Sequence, residues 1–167
     1  MKYNLGCGEK TIKGYIGVDS YKRCYPNIVA DLNRPLNFAK ENTAEEIYAS
    51  HVIEHLPKWE EFLRECHRIL KPGGTLTLKY PQAQCIALNP YHKNLFGSNL
   101  MRYYNRYNPE KQFQIIRIKY TWHEKRKILR PISILLSFLA NISPKSCDRI
   151  WAAYVGGFED IQIEAKK

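Results

Sequence analysis

Tyr3-Asn4-Leu5-Gly6-Cys7-Gly8 and, close behind, Gly14-Tyr15-Ile16-Gly17-Val18-Asp19 carry the residue types with which a chain holds a nucleotide. A short apolar strand running into glycines lets the backbone approach a ligand. An acid ending the next strand can accept both hydroxyls of a ribose. A dinucleotide fingerprint asks for a third glycine three residues after the second, and Thr11 stands there. It also sets its acid about 20 residues beyond the glycines, whereas Asp19 comes sooner. Both departures disfavour NAD and FAD. They leave S-adenosylmethionine (SAM), which has a ribose but no pyrophosphate. Gly-x-Gly alone is equally a tight turn, in which the small size of Cys7 needs no redox role.

A second constellation is His51-Val52-Ile53-Glu54-His55, formally the His-x-x-Glu-His zinc motif of inverted metalloproteases. That motif needs a helix presenting both histidines on one face, and a third ligand. Here it follows directly on an apolar strand and Pro57 limits any helix, so no metal is expected. Glu54 reads as a cap of the following helix, ahead of the alternative that it holds a histidine, with His55 opening the helix.

The elements that must position these residues follow in order. Ile28-Val29-Ala30-Asp31-Leu32 reads as a third strand ending in an acid, placed to meet an adenine amino group. Glu46 to Ser50 reads as a fourth. From Trp59 to Leu70, the residues Phe62, Leu63, Cys66, Ile69 and Leu70 fall on one helical face. Lys71-Pro72-Gly73-Gly74 stops that helix, and Thr75 to Tyr80 is a fifth strand. Gln112 to Tyr120 and Phe158 to Ala165 alternate apolar and polar and read as strands six and seven, with Gly156-Gly157 as a turn before the last.

This series resembles the class I SAM-dependent methyltransferases, more narrowly their small methyltransferase-domain (type 11-like) branch. The matching segments are Asn4 to Gly8, Gly14 to Asp19, Ala30-Asp31-Leu32, Glu54-His55-Leu56 and Arg68 to Gly74, within residues 2–81. The resemblance implies a three-layer α/β Rossmann-like sandwich with a mostly parallel seven-stranded sheet, its last two strands paired like a hairpin. It implies SAM as methyl donor and S-adenosylhomocysteine as product. Asn4, Gly6, Cys7 and Gly8 would lie at the methionine part, Asp19 and Ser20 at the ribose, and Asp31 and Leu32 at the adenine. Ser50 and His51 would lie near the methionine end or the sulfonium. Two features depart from the family. Asn4 stands where an acid is common, and the space between Gly8 and Gly14 admits only a turn where a helix is usual.

Methyl transfer is an in-line displacement helped chiefly by positioning. A base is needed only when the acceptor is a hydroxyl or an ammonium. His51, Tyr80 and His92 are the candidates for base catalysis or acceptor positioning, while His67 and His123 read as surface histidines. The loops after strands four and five, at the C-terminal strand ends, should receive the acceptor.

Composition bounds the rest. The chain has 167 residues, 44% of them hydrophobic and 13% aromatic, which suits one domain with its own core and excludes a disordered chain. Residues 1–81 read as the cofactor half and 82–167 as the acceptor half. The 5 cysteines are scattered and unpaired in pattern, as in a reducing cytosol. The net charge of +10 sits mainly in the second half, from Arg102 to Arg130. Within it lies a basic and apolar insertion, 119–143. Lys125-Arg126-Lys127 leads into the apolar stretch Ile128 to Ile142, with Pro131 suited to its first turn. This segment reads as a helix packed on the sheet, a dimer contact, or a peripheral anchor at the inner face of a membrane. The acceptor is then a small molecule, a lipid or a glycan precursor. RNA or DNA is a less favoured acceptor, because no Asn-Pro-Pro-Tyr or Asp-Pro-Pro-Tyr signature follows strand four. A non-catalytic partner-binding module is the remaining reading.

Overall fold

The computed structural model describes residues 1–82, 89–122, 130–143 and 158–167, with the backbone alone at 122, 158 and 159. The strands are β1 (Lys2–Leu5), β2 (Ile16–Asp19), β3 (Ile28–Val29), β4 (Ala44–Ser50), β5 (Leu70–Pro81), β6 (Gln114–Trp122) and β7 (Phe158–Lys166). The helices are α1 (Trp59–Ile69), α2 (Leu100–Tyr107) and α3 (Arg130–Ile142). All seven strands join one sheet in the order β3-β2-β1-β4-β5-β7-β6. The first five run parallel, and β7 pairs antiparallel with both β5 and β6. This is the α/β Rossmann-like methyltransferase architecture that the sequence leads one to expect. Central strands supply the core through Tyr3, Leu5, Ile47, Ala49, Leu76, Leu78, Ile161 and Ile163, all buried.

Residues 6–15 cross from β1 to β2 without a helix, shorter than a parallel crossover usually allows. Backbone hydrogen bonds close it: Gly6 N and Cys7 N donate to the Val18 carbonyl at 2.8 and 3.1 Å. The buried Asn4 amide donates to the Lys10 carbonyl at 3.1 Å. Asn4 thus fastens the turn that replaces the usual helix.

Several boundaries differ from those read in the sequence, each for a local reason. β3 stops at Val29 rather than Leu32, because the Asp31 carboxylate accepts from Asn33 N at 2.9 Å and turns the chain. β5 starts at Leu70, which pairs with Ala44. Lys71 to Gly74 then loop out, with Gly73 at φ 76°, before Thr75 pairs with Glu46. β6 starts at Gln114 because the Asn105 side chain holds Phe113 N at 2.9 Å and Phe113 O at 2.7 Å. Glu54 does not cap α1 and His55 does not open it. Ile53–His55 form a 3-10 turn, and Leu56, ahead of Pro57, is held extended, so the helix begins only at Trp59. His67 is half-buried rather than a surface residue, edge-on to Phe113 at 5.2 Å. Burial and nearby Lys167 and Lys111 lower its pKa. The expected Gly156-Gly157 turn and His123 lie outside the described residues.

α1 buries Phe62, Leu63, Cys66 and Ile69 against the sheet. It also holds the loop that precedes β4. The Arg68 guanidinium binds both Glu65 carboxylate oxygens at 2.8 Å and donates to the carbonyls of Leu36 (3.1 Å) and Ala39 (3.3 Å). Glu65 in turn accepts from Leu36 N at 2.7 Å. Arg68→Met strips the charged donor from this network, leaving Leu36 O with only its bond from Ala39 N and taking the guanidinium from Ala39 O. It should lower unfolding free energy by about 1.5–3 kcal/mol, read as a urea midpoint shift at unchanged slope. The exposed Arg34→Met should stay within about 0.5 kcal/mol.

Candidate active site

β1 lies between β2 and β4, so the chain leaves β1 to one side and returns on the other. Ligands of open α/β sheets bind at such a switch point, outside the carboxyl ends of the strands. The glycine loop after β1 and Ser50-His51 at the end of β4 meet there.

Gly6 carries φ 66° and Gly8 φ 51°, a left-handed backbone that glycine adopts without strain. At Gly6 the fit is also steric, since a Cβ would lie 2.2 Å from Val52 Cγ2. At Gly8 an added Cβ meets nothing within 4 Å, so the loop faces open space where a ligand can approach the backbone. Asp19 holds the loop in place. Its Oδ2 accepts from Gly8 N at 2.8 Å and its Oδ1 from Tyr21 N at 2.9 Å. Each oxygen retains a further lone pair for a ribose hydroxyl. Cys7 is buried behind this loop, and a Cβ on Gly17 would come 3.1 Å from its Sγ. Ser20 is exposed beside Asp19, and Asp31 is exposed one strand further out. Hydrogen bonds from Asn33 hold the Asp31 carboxyl below its ordinary range. Leu32 is buried and lines a cavity of about 220 Å³ shared with Arg34, Pro35 and Phe62.

The other side of the switch point is charged. His51 adopts φ 55°, a left-handed conformation rare outside glycine, and its N donates to the Lys79 carbonyl at 2.8 Å. Such backbone strain collects at functional sites. The imidazole lies between two acids, with Nε2 3.2 Å from Asp160 Oδ1 and Nδ1 3.4 Å from Glu54 Oε1. Lys79 Nζ completes the group, 2.7 Å from Asp160 Oδ2. Asp160 and then Glu54 favour the imidazolium and push the His51 pKa up to about 9 against the opposing effect of burial. Burial alone would raise the Asp160 carboxyl, but contacts from His51 and Lys79 outweigh it and hold the group below its ordinary value.

Glu54 is wholly buried, and neither of its carboxyl oxygens has a hydrogen bond among the described residues. Its carbonyl accepts from Lys93 N and Asn94 N, so the 3-10 turn at the end of β4 is stitched to the loop carrying His92. Asn94 Nδ2 adds a bond to Leu56 O at 2.8 Å. The same loop walls a cleft of about 580 Å³, lined by Trp59, Gln82, Asn94, Phe96, Asn99 and Tyr103. Tyr80 is buried beneath it, its hydroxyl donating to Gly97 O at 3.0 Å and its ring edge-on to Phe96 at 5.8 Å. Of the three catalytic candidates, His51 reaches the charged cluster, His92 stands by Glu54, and Tyr80 supports the cleft from below.

Sequence reasoning does not single out Asp160 or Lys79, and it reads Glu54 as a helix cap or the holder of a histidine, not as a wholly buried acid. Asp160 shares the alternation phase of Gln162 and Glu164, so the strand pattern marks it as solvent-facing. Only the antiparallel insertion of β7 beside β5 carries its first residues to the C-terminal edge of the parallel strands.

A glycine loop fastened by the acid of β2 at the switch point of a parallel sheet with an antiparallel β7 defines a class I methyltransferase. Residues 6–127 match the family described as a methyltransferase domain. The chain belongs to that family, in its type 11-like branch, and is a transferase whose cofactor is SAM. No curated protein matches the sequence. Among solved structures it is similar to a SAM-dependent methyltransferase from Archaeoglobus fulgidus, with TM-score 0.70 and 19% identity over 99% of this chain and 85% of that one. A SAM-dependent methyltransferase from Mesorhizobium loti aligns with TM-score 0.63 and 12% identity, over 99% and 90% of the two chains. The [4+2]-cyclase SpnF also shares the fold, with TM-score 0.65 and 13% identity over 99% and 73%.

Gly6→Ala places a side chain in a left-handed backbone, which costs ~1–3 kcal/mol, and drives Val52 aside. A lower melting temperature and SAM binding weakened about tenfold or more are expected from scanning calorimetry and titration.

Proposed function

We propose that this enzyme moves the methyl group of SAM to a small-molecule, lipid or glycan-precursor acceptor. The observation that carries this reading is the cleft of about 580 Å³. Its size and partly aromatic wall suit a small ligand, and it adjoins the turn that bears Glu54 and His55. When bound, SAM supplies an electrophilic methyl group on a sulfonium. Gly6, Cys7 and Gly8 are the residues to hold its methionine part, with Asp19 and Ser20 at the ribose, Asp31 and Leu32 at the adenine, and Ser50 and His51 at the sulfonium end. Asn4 contributes by fastening the glycine turn. Both ring nitrogens of His51 already face carboxyl groups, so its role is to position and to supply positive charge rather than to take a proton. Trp59 and Phe96, edge-on to each other at 5.4 Å, exclude water from the acceptor side.

Titration of the protein with SAM and S-adenosylhomocysteine tests the reading, with Asp19→Ala as control. The parent should bind both in the micromolar range, about −8 kcal/mol. The variant loses the clamp on Gly8 and should show no measurable binding while remaining folded. A folded parent that binds neither points instead to a partner-binding module. Tight, steeply salt-dependent oligonucleotide binding points to a nucleic-acid acceptor.

α3 favours an acceptor reached at a membrane, with the protein on its cytoplasmic face. The helix is fastened to edge strand β6 by Asn141, whose amide accepts from Tyr120 N at 2.8 Å and donates to Tyr120 O at 2.9 Å. Ala140 is buried, yet Ile134, Leu135, Phe138 and Ile142 are each more than half exposed. Lys125, Arg126 and Lys127 precede this apolar face in a chain of net charge +10, a combination matched to anionic lipid. No helix among the described residues is long and apolar enough to cross a membrane. The parent should co-sediment with vesicles containing phosphatidylserine and not with neutral ones. Phe138→Glu should weaken that binding about tenfold or more without changing SAM affinity.

A further inference from the structure

We infer that Glu54, His55 and His92 form a binding site for a divalent first-row transition ion of the zinc, cobalt or manganese class. Their ligand atoms all lie within 4.8 Å of one another, although His92 is remote in sequence and comes from another loop. The set is not the His-x-x-Glu-His metalloprotease motif. His51 is outside it, and the two motif residues sit on a 3-10 turn rather than on one face of a helix.

Three features separate this group from a chance cluster. The first is the Glu54 carboxyl, wholly buried with neither oxygen hydrogen-bonded among the described residues. Oε1 faces the His51 ring at 3.4 Å, while Oε2 meets no hydrogen-bond donor among the described residues, and burying such an oxygen is costly unless a charge or a metal meets it. The second is the disposition of His55. Its Nδ1 lies 3.2 Å from the Tyr91 carbonyl, a bond that takes the ring proton and leaves the Nε2 lone pair free. A backbone carbonyl on the far ring nitrogen is the usual support of a metal-bound histidine. The third is His92, whose Nδ1 is buried without a partner among the described residues. Its ring stands edge-on to His55 at 4.8 Å. The Asn89 amide nitrogen, 3.1 Å away, contacts Nε2. Asn89 Oδ1 accepts from Tyr91 N at 3.0 Å and keeps the amide in this orientation, so coordination through Nδ1, which moves the His92 proton to Nε2, gives up the Asn89 contact.

The scaffold holds these donors before any ion arrives. Lys93 N and Asn94 N bind the Glu54 carbonyl, and Asn94 Nδ2 binds Leu56 O. These bonds keep the His92 loop against the turn. His51, 3.4 Å from Glu54 Oε1, stands behind the carboxyl as an outer partner. Two imidazoles and one carboxylate suit zinc and its neighbours. Magnesium prefers oxygen ligands and retains its waters. Three protein donors leave coordination positions for water or an acceptor oxygen, beside the cleft and next to the strand end that carries His51.

Dialysed parent protein should bind one equivalent of Zn²⁺ by calorimetric titration and by elemental analysis, and Co²⁺ should give visible d–d absorption bands. Glu54→Gln and His92→Ala should each weaken Zn²⁺ binding by more than about 100-fold, beyond the loss seen for supporting residues. His67→Gln, a half-buried histidine elsewhere, should bind as the parent does. Ring-nitrogen NMR of the parent, which needs no substitution, should show Zn²⁺ shifting His55 and His92 most, with a smaller change at His51 through Glu54 and none at His67. The inference is overturned if the folded parent binds no Zn²⁺, if binding survives in the Glu54→Gln/His92→Ala double variant, or if Zn²⁺ shifts His67 or leaves His55 and His92 unmoved. Tighter binding of Mg²⁺ than of Zn²⁺ would overturn the ion class. None of these readouts depends on methyl transfer, so failure here is distinct from failure of the SAM titration.

Discussion

The arrangement hangs on one close approach, the passage of Gly6 beneath Val52. The end of β1 turns there in a left-handed conformation with no room for a Cβ. Because Val52 follows β4, this contact locks the glycine loop to the turn that carries Glu54 and His55. The two halves of the switch point therefore cannot move independently. Asp19 completes the lock from the β2 side by accepting from Gly8 N. A residue that reads as a ligand for ribose is at the same time the support of the loop beside it.

The short crossover between β1 and β2 shows how a fold compensates for a missing helix. A parallel connection without a helix leaves backbone groups to be satisfied otherwise. Here the Val18 carbonyl accepts two amides, and Asn4 supplies its side-chain amide to Lys10 O. The loop before β4 is treated likewise, with Arg68 and Glu65 of α1 doing from a neighbouring element what a local helix would do from within. Both solutions use polar side chains to satisfy backbone groups of loops that have no helix of their own.

Charge is divided across the site. The glycine side presents backbone amides and carboxylates suited to a ribose. The opposite side gathers His51, Lys79, Asp160 and Glu54 in alternating sign at the ends of β4, β5 and β7. Partial burial strengthens these interactions relative to water and fixes His51 between its two acids. The neighbouring cleft is mainly lined by apolar and amide groups. The charged cluster lies at one edge of it.

The residues that sequence determined are those whose local geometry dictates their type. Glycines at positive φ, an acid closing β2, the apolar face of α1 and the alternation of β6 and β7 are short-range patterns. They were legible down to the cofactor, the sheet and the antiparallel final pair. Boundaries that depend on a distant partner were not legible, such as the start of β6 at the Asn105 clamp or the early pairing of Leu70 with Ala44. The charged side of the switch point was decided by tertiary structure alone. Glu54 reads as a helix cap until the pre-proline Leu56 delays the helix and the His92 loop folds over it. Asp160 reads as solvent-facing until β7, inserted antiparallel beside β5, carries it to His51. Period and spacing report what lies within a few residues along the chain, while these charges take their meaning from strands that meet only when the sheet closes.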